Sequence, residues 1–330
     1  MSESIVSISN LGVHYPITGG WFGKKLVVRA VDNINMEIKR GQFFGLVGES
    51  GSGKTTLGRA ILQAAPISKG EITFYDGERE FDVKSLKKQD LLDFRRRAQL
   101  IFQDPYAALS PRMTVRDIIA EPLEVMKLTK SKEETNQRVR DIAAECRLNI
   151  EHLRRFPHAF SGGQRQRISI ARALVANPSF LVADESVAAL DVSIQADILN
   201  LLKSLQQDHG LTFLFISHDL SVVAHVCDVV AVMYLGQIVE MAPTRELFKQ
   251  PRHPYTAALL SAIPSLDPDD ESKAIKLEGE IPSPLSPPTG CRFHTRCPHA
   301  KERCVVESPE WREINDDHFV SCHFSDELTL

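Results

Sequence analysis

Apolar and polar residues alternate at period two over Ser4 to Ser9, which predicts a β-strand. Val27 to Ile38 predicts one or two more, with Val31, Ile34, Met36 and Ile38 on one face. Short apolar runs follow at Phe43 to Val47, Gly70 to Tyr75, Leu100 to Phe102, Phe180 to Ala183 and Thr212 to Ile216. Runs of that length suit buried strands. Between them the period turns helical. Leu57 to Leu62 and Gln164 to Leu174 predict helices. From Thr114 to about Ile150, Ile118, Ile119 and Leu123 line one helical face, and Val139, Ile142, Ala143 and Cys146 another. The charges of Lys130 to Arg140 read as a solvated helix face. Strand and helix signals alternate to about Lys249, so the class is α/β with a helical insertion near 105–175. Proline then becomes frequent, at 251, 254, 264, 268, 282, 284, 287 and 288, and predicts a linker or an irregular wrapping arm.

The 330 residues leave room for two or three domains, or one large domain with an appendix. A hydrophobic fraction of 43% and a charged fraction of 25% are those of a soluble globular protein. The net charge of −4 offers no global argument for nucleic acid or an anionic membrane surface. The best apolar run, Val226 to Leu235, is too short to span a membrane and is broken by Asp228. The start, Met-Ser-Glu-Ser, lacks a signal peptide's basic and apolar regions, so a cytosolic chain is expected. Cys146 and Cys227 read as buried thiols. Cys291, Cys297, Cys304 and Cys322 crowd the tail, where a reducing compartment favours a metal site over disulfides.

The sharpest chemical signal is Gly48-Glu49-Ser50-Gly51-Ser52-Gly53-Lys54-Thr55-Thr56, between a predicted strand and a predicted helix. It fits the phosphate-binding loop pattern. Its glycines permit a tight turn that gathers N–H groups into an anion-binding concavity at a helix N-terminus. Lys54 would reach the outer phosphates of ATP, and the Thr55 hydroxyl would ligate Mg²⁺.

Weaker signals gain meaning beside it. Tyr15 is either a ring for an adenine base or an ordinary strand-end tyrosine. Gln103 is a polar strand terminus that can ligate Mg²⁺ through its carbonyl. Ser161 is a plausible helix N-cap, which does not explain Gly162 and Gly163 before Gln164. Asp184-Glu185 ends an apolar strand, a setting for a magnesium site beside a general base. His218 ends another strand, and ligands bind at such strand ends in α/β folds.

These motifs, in this order, resemble the nucleotide-binding subunit of an ATP-binding cassette (ABC) transporter, from Tyr15 to about Met241. The resemblance implies a P-loop NTPase cassette: a RecA-like core, an antiparallel β subdomain and a helical subdomain. A small irregular cysteine-rich C-terminal module would follow. It places the ATPase domain at 1–255 and the extension at 256–330. It implies a head-to-tail dimer in which Ser161, Gly162, Gly163 and Gln164 cap ATP on the partner's phosphate loop. Asp191 would couple the two sites, Gln103 and Asp184 would join Thr55 at magnesium, and Glu185 and His218 would be catalytic. Phe102-Gln103-Asp104-Pro105, His253-Pro254-Tyr255-Thr256, Glu280-Ile281-Pro282-Ser283-Pro284 and the stretch from Gly290 to Pro298 resemble dipeptide and oligopeptide importer subunits. That branch also holds nickel and oligosaccharide importers. Three departures stand out: Ser186 in place of the usual proline, Ala159 in place of a polar residue, and Ala108 with Ser110 in an altered loop.

The implied partners are a second ABC ATPase subunit, expected to be a paralogue, two permease subunits and an extracytoplasmic solute-binding protein, with no nucleic acid. The implied location is the cytoplasmic face of the inner or plasma membrane. The tail spacing C-x₅-C-x₆-C-x₁₇-C is wider than paired zinc knuckles, so a [4Fe–4S] cluster is expected, with reduced structural thiols or zinc as the alternatives. Members of the branch with similar tails carry such a cluster. The rivals are a soluble ABC ATPase acting on DNA or ribosomes, which usually has a long coiled coil or tandem cassettes, and a catalytically silent regulatory subunit. Glu185 and His218 argue against the second.

Overall fold

The structure is a computed structural model that describes residues 4–18, 25–77, 79–263, 274–328 and 330. The start of the chain at 1–3, the glycine- and aromatic-rich stretch at 19–24, and Pro264 and Pro268 lie outside the described residues. In chain order the elements are β1 (Ser4–Thr18), β2 (Lys25–Lys39), β3 (Phe43–Val47), α1 (Lys54–Ile61), β4 (Lys69–Asp76), β5 (Arg79–Asp82), α2 (Lys88–Arg97) and β6 (Ala98–Ile101). Then come α3 (Pro105–Ala108), α4 (Val115–Val125), α5 (Lys132–Glu145), α6 (Gly162–Leu174), β7 (Phe180–Asp184), α7 (Val192–His209) and β8 (Thr212–Ile216). The rest are α8 (Leu220–Val226), β9 (Val229–Tyr234), β10 (Gln237–Pro243), α9 (Thr244–Lys249), α10 (Pro254–Ser261), α11 (Glu302–Val306), β11 (Arg312–Asn315) and β12 (His318–Val320).

The chain divides into two compact units. The first comprises residues 1–6, 38–42 and 73–216. Its strands β6, β7 and β8 run parallel, with Leu100 opposite Val182 and Val182 opposite Leu214. Every residue of β7 and β8 is buried, which is why their sequences are unbroken apolar runs and not alternating ones. Phe74, Phe81, Phe94 and Phe180 pack as one aromatic cluster, with Phe74 edge-on to Phe94 at 5.2 Å. The helical insertion is present as α3 to α6. Thr114 and Ser131 cap α4 and α5 by accepting from the N–H groups of Asp117 and Glu134. Cys146 closes the inner face, and burial pushes its thiol pKa up.

The second unit comprises residues 7–37, 43–72 and 217–330. Here β3 pairs parallel with β9, β9 antiparallel with β10, β10 antiparallel with β12, and β12 antiparallel with β11. Asp228, the charge that interrupts the longest apolar run, has a local reason. Its carboxylate accepts the Phe43 N–H at 2.7 Å, and its own N–H donates to the Phe43 carbonyl at 2.8 Å. It thus closes the open end of β3. No described helix is long and apolar enough to cross a membrane.

The cysteine-rich segment, expected as a small irregular module, is mostly turns and coil among the described residues, with a few short regular elements. It carries the β11–β12 hairpin, which extends the sheet at β10 with Glu240 opposite Val320. Its Phe293 is fully buried against Tyr234 and Tyr255, at 5.2 and 5.3 Å. The segment has few apolar residues because it shares the aromatic core laid down by β9 and α10.

Candidate nucleotide-binding site

The phosphate loop follows β3 and runs into α1. Gly48 has φ of +146°, and a Cβ there would lie 2.1 Å from the Met233 carbonyl oxygen. Only glycine fits both demands. No side chain caps α1, and its first intrahelical bond runs from the Leu57 N–H to the Gly53 carbonyl. The preceding N–H groups therefore form an anion-facing helix terminus. Lys54 is buried. Its ammonium donates to the carbonyls of Gly48 at 2.7 Å and Glu49 at 3.0 Å, with Ser52 Oγ at 3.4 Å. The Gly236 N–H holds the loop from outside by donating to the Ser52 carbonyl. Ser50, Gly51, Thr55 and Thr56 continue the loop and the first turn of α1. Glu49 departs from a simple phosphate ligand, because its carboxylate is turned onto Arg296.

His218 lies in the same unit. The Ser217 N–H donates to the Leu46 carbonyl at 3.2 Å, which sets His218 one residue beyond the strand that enters the loop. His218 is exposed, and Asp219 caps the following turn by accepting from Ser221 and Val222. Tyr15 belongs to β1, at its exposed end.

The first unit gathers the remaining candidates. Asp184 ends β7 and is buried. Glu185 follows with φ of +45°, a left-handed backbone that costs a β-carbon residue about 1–3 kcal/mol. Its N–H donates to the Ile216 carbonyl at 2.9 Å, which holds the turn against β8. The Gln103 side-chain nitrogen donates to the Glu185 carboxylate at 2.6 Å. Sequence spacing of 82 residues gave no sign of that pairing. The Ser186 hydroxyl, where proline is usual, is buried without a hydrogen-bond partner.

Ser161 and Gln164 form a complete capping box. The Gln164 N–H donates to Ser161 Oγ at 3.4 Å, and the Ser161 N–H donates to Gln164 Oε1 at 3.0 Å. The helix-cap reading of Ser161 is therefore satisfied. A Cβ at Gly163 would meet Ile194 of α7 at 2.5 Å, which accounts for one of the paired glycines by close packing; Gly162 begins the helix beside Leu190. Asp191 is exposed and makes no capping bond to α7.

In the tail, Cys291, Cys297, Cys304 and Cys322 line one cavity with His294, His299 and His323. Burial pushes the Cys291 thiol up to about 12 and Cys297 to about 11, and raises Cys322 as well. The expected metal constellation is not formed in the sense of a single ion. No group of three or more His, Cys, Asp or Glu side chains among the described residues is placed to hold one.

Residues 31–188 match the family described as ABC transporter, and residues 239–304 match the oligopeptide/dipeptide transporter C-terminal region. The putative oligopeptide transport ATP-binding protein YkfD of Bacillus subtilis is 47% identical over 97% of this chain and 95% of its own. The chain belongs to the ABC transporter family, as an ATP-binding subunit. The oligopeptide transport ATP-binding protein AppF of Bacillus subtilis is 46% identical, over 97% of each chain. Among solved structures, the ATP-binding cassette MJ0796, a dimer in a post-hydrolysis state bound to ADP and Pi, matches with a TM-score of 0.63. The identity is 28%, over 73% of this chain and 99% of that one. The cassette fold, the ATPase family and the absence of a described membrane-spanning helix now stand together.

Proposed function

We propose that this chain is the ATP-hydrolysing subunit of a membrane importer for di- or oligopeptides. One observation carries the peptide reading: the transporter-specific C-terminal match lies on the same chain as the cassette, and YkfD and AppF are similar over nearly the whole length. The partners that complete such an importer are a second ATPase subunit, two permeases and an extracytoplasmic solute-binding protein. The chain would then lie at the cytoplasmic face, held by the permeases. The division at 255/256, into ATPase domain and extension, belongs to this reading.

Within it, Gly48 to Thr56 bind the triphosphate, with Tyr15 on the base. Thr55, Gln103 and Asp184 would hold Mg²⁺, which would supply charge neutralisation at the phosphates when bound. Glu185 orients and polarises the attacking water, and His218 holds the γ-phosphate in line. Ser161 to Gln164 and Asp191 serve the partner's nucleotide. The Gln103–Glu185 hydrogen bond supports this, since it joins a metal-facing amide to the proposed base. Purification from membranes in mild detergent should bring down two permease chains and a second ATPase, with ATP turnover raised by peptide-loaded binding protein. Stimulation by nickel or an oligosaccharide instead would overturn the peptide reading.

For the tail this reading keeps a [4Fe–4S] cluster ahead of zinc, on the wide cysteine spacing and on the cavity that the four cysteines line together. Cys291, Cys297, Cys304 and Cys322 would hold it, and its chemistry would be structural. Raised thiol pKa values make loading proton-releasing, so affinity should rise with pH. Anaerobic purification should give brown protein with about four irons per chain, the cluster's stoichiometry. Any one Cys→Ser change should bleach it while ATP binding survives. Colourless protein with one zinc per chain would refute the cluster.

A further inference from the structure

The cysteine-rich segment reaches the phosphate loop through one side chain. Arg296 lies one residue before Cys297 and grips Glu49, the second residue of the loop, with two parallel bonds. Nη1 donates to Oε2 at 2.7 Å and Nη2 to Oε1 at 3.1 Å. The arginine side chain is only 7% exposed and the glutamate 26%, so the pair is largely shielded from water. Such forked arginine–carboxylate pairs are strong and fix geometry as well as charge.

Glu49 is held at two further points. Its N–H donates to the Tyr255 hydroxyl at 2.9 Å, and its carbonyl accepts from Lys54 at 3.0 Å. Tyr255 is itself fully buried. Arg296 is seated as firmly. Its N–H donates to the carbonyl of Phe293, whose ring is buried between Tyr234 and Tyr255. Four residues back along the chain, Arg292 donates to the Leu235 carbonyl and to the Asp32 carboxylate.

We infer that Arg296 is a positioning residue for the nucleotide: it neutralises and pins Glu49 so that the loop can accept a triphosphate. The inference rests on the nucleotide reading above. Its physical basis is charge. Without Arg296, a carboxylate one residue from Gly48 would stand bare beside the concavity that must take several negative charges. Lys54 donates to the main-chain carbonyl of Glu49 and leaves its carboxylate to Arg296. Arg296 removes that charge cost before the nucleotide arrives.

The test is equilibrium titration of the full-length chain with a fluorescent ATP analogue and Mg²⁺, alongside thermal melting. Arg296→Ala should weaken binding about tenfold, as expected when the competent loop falls to roughly a tenth of the population. Arg296→Lys, which keeps the charge but not the fork, should lose less. Adding Glu49→Gln to Arg296→Ala should restore affinity to within about threefold of wild type, because the unpaired carboxylate is then gone. A purely structural role for Arg296 predicts no such rescue. Wild-type affinity in Arg296→Ala, or a double variant as weak as the single, overturns the inference while the nucleotide site stands. A wild-type chain that binds no nucleotide overturns both.

Discussion

Glu185→Gln in the assembled transporter is expected to lower ATP turnover by about 100-fold or more, the usual contribution of a positioned general base. ATP affinity should stay within about threefold, since base and substrate meet only in the reacting geometry. The substitution keeps size and hydrogen-bonding shape, so the Gln103 contact and the bond from residue 185 to Ile216 can persist. Those two contacts hold a residue whose φ of +45° is unfavourable, and such strain persists only where surroundings impose it. The expected species is an ATP-loaded nucleotide-binding dimer that forms and does not dissociate, seen as unhydrolysed ATP retained by the transporter in the presence of Mg²⁺. Wild-type hydrolysis in this variant would remove Glu185 from its role.

The cassette was legible in the sequence because its parts are local. A phosphate loop is nine consecutive residues between a buried strand and a helix, and both neighbours were visible as an apolar run and a helical period. The strands β7 and β8 were equally plain, since a parallel strand covered on both faces is written as an apolar run. Element ends were less plain. The helix expected from Leu57 begins at Lys54, and that expected from Gln164 begins at Gly162, because Lys-Thr-Thr and Gly-Gly at a helix start carry no apolar periodicity.

What escaped the sequence depends on contacts between distant residues. Gln103 finds Glu185 across 82 positions, and Arg296 finds Glu49 across 247. Glu240 is fully buried among apolar neighbours on β10, and accepts from the His253 N–H at 3.0 Å and faces His318 at 2.8 Å. The tail's packing was hidden for a related reason. Its sparse apolar residues gave no sign that Phe293 completes a core begun by Tyr234 and Tyr255. The four cysteines were visible as a set; their arrangement around a cavity was not.

Lys54→Ala should weaken Mg-ATP binding by about 100-fold and abolish ATP-driven uptake. A charge-assisted hydrogen bond contributes about 1.5–3 kcal/mol, and every 1.4 kcal/mol is tenfold in affinity. Lys54 would supply at least one such bond to the outer phosphates and the only buried ammonium within the loop itself. The same variant should keep its fold. The loop's path is fixed by Gly48 against Met233, by the Gly236 N–H on the Ser52 carbonyl and by the Tyr255 hydroxyl on Glu49, none of which uses the lysine. The loss left behind is at the carbonyls of Gly48 and Glu49, which no longer receive the lysine's hydrogen bonds. A melting temperature within a few degrees of wild type is therefore expected, corresponding to about 1 kcal/mol in a protein of this size. Thr55→Ala separates the metal from the phosphates. It should cost Mg²⁺ dependence while metal-free ATP binding persists, because the hydroxyl is a metal ligand and the loop's N–H groups are not. Calorimetric titration with and without Mg²⁺ reads both variants. Unchanged ATP affinity in Lys54→Ala would show that the loop does not hold the nucleotide.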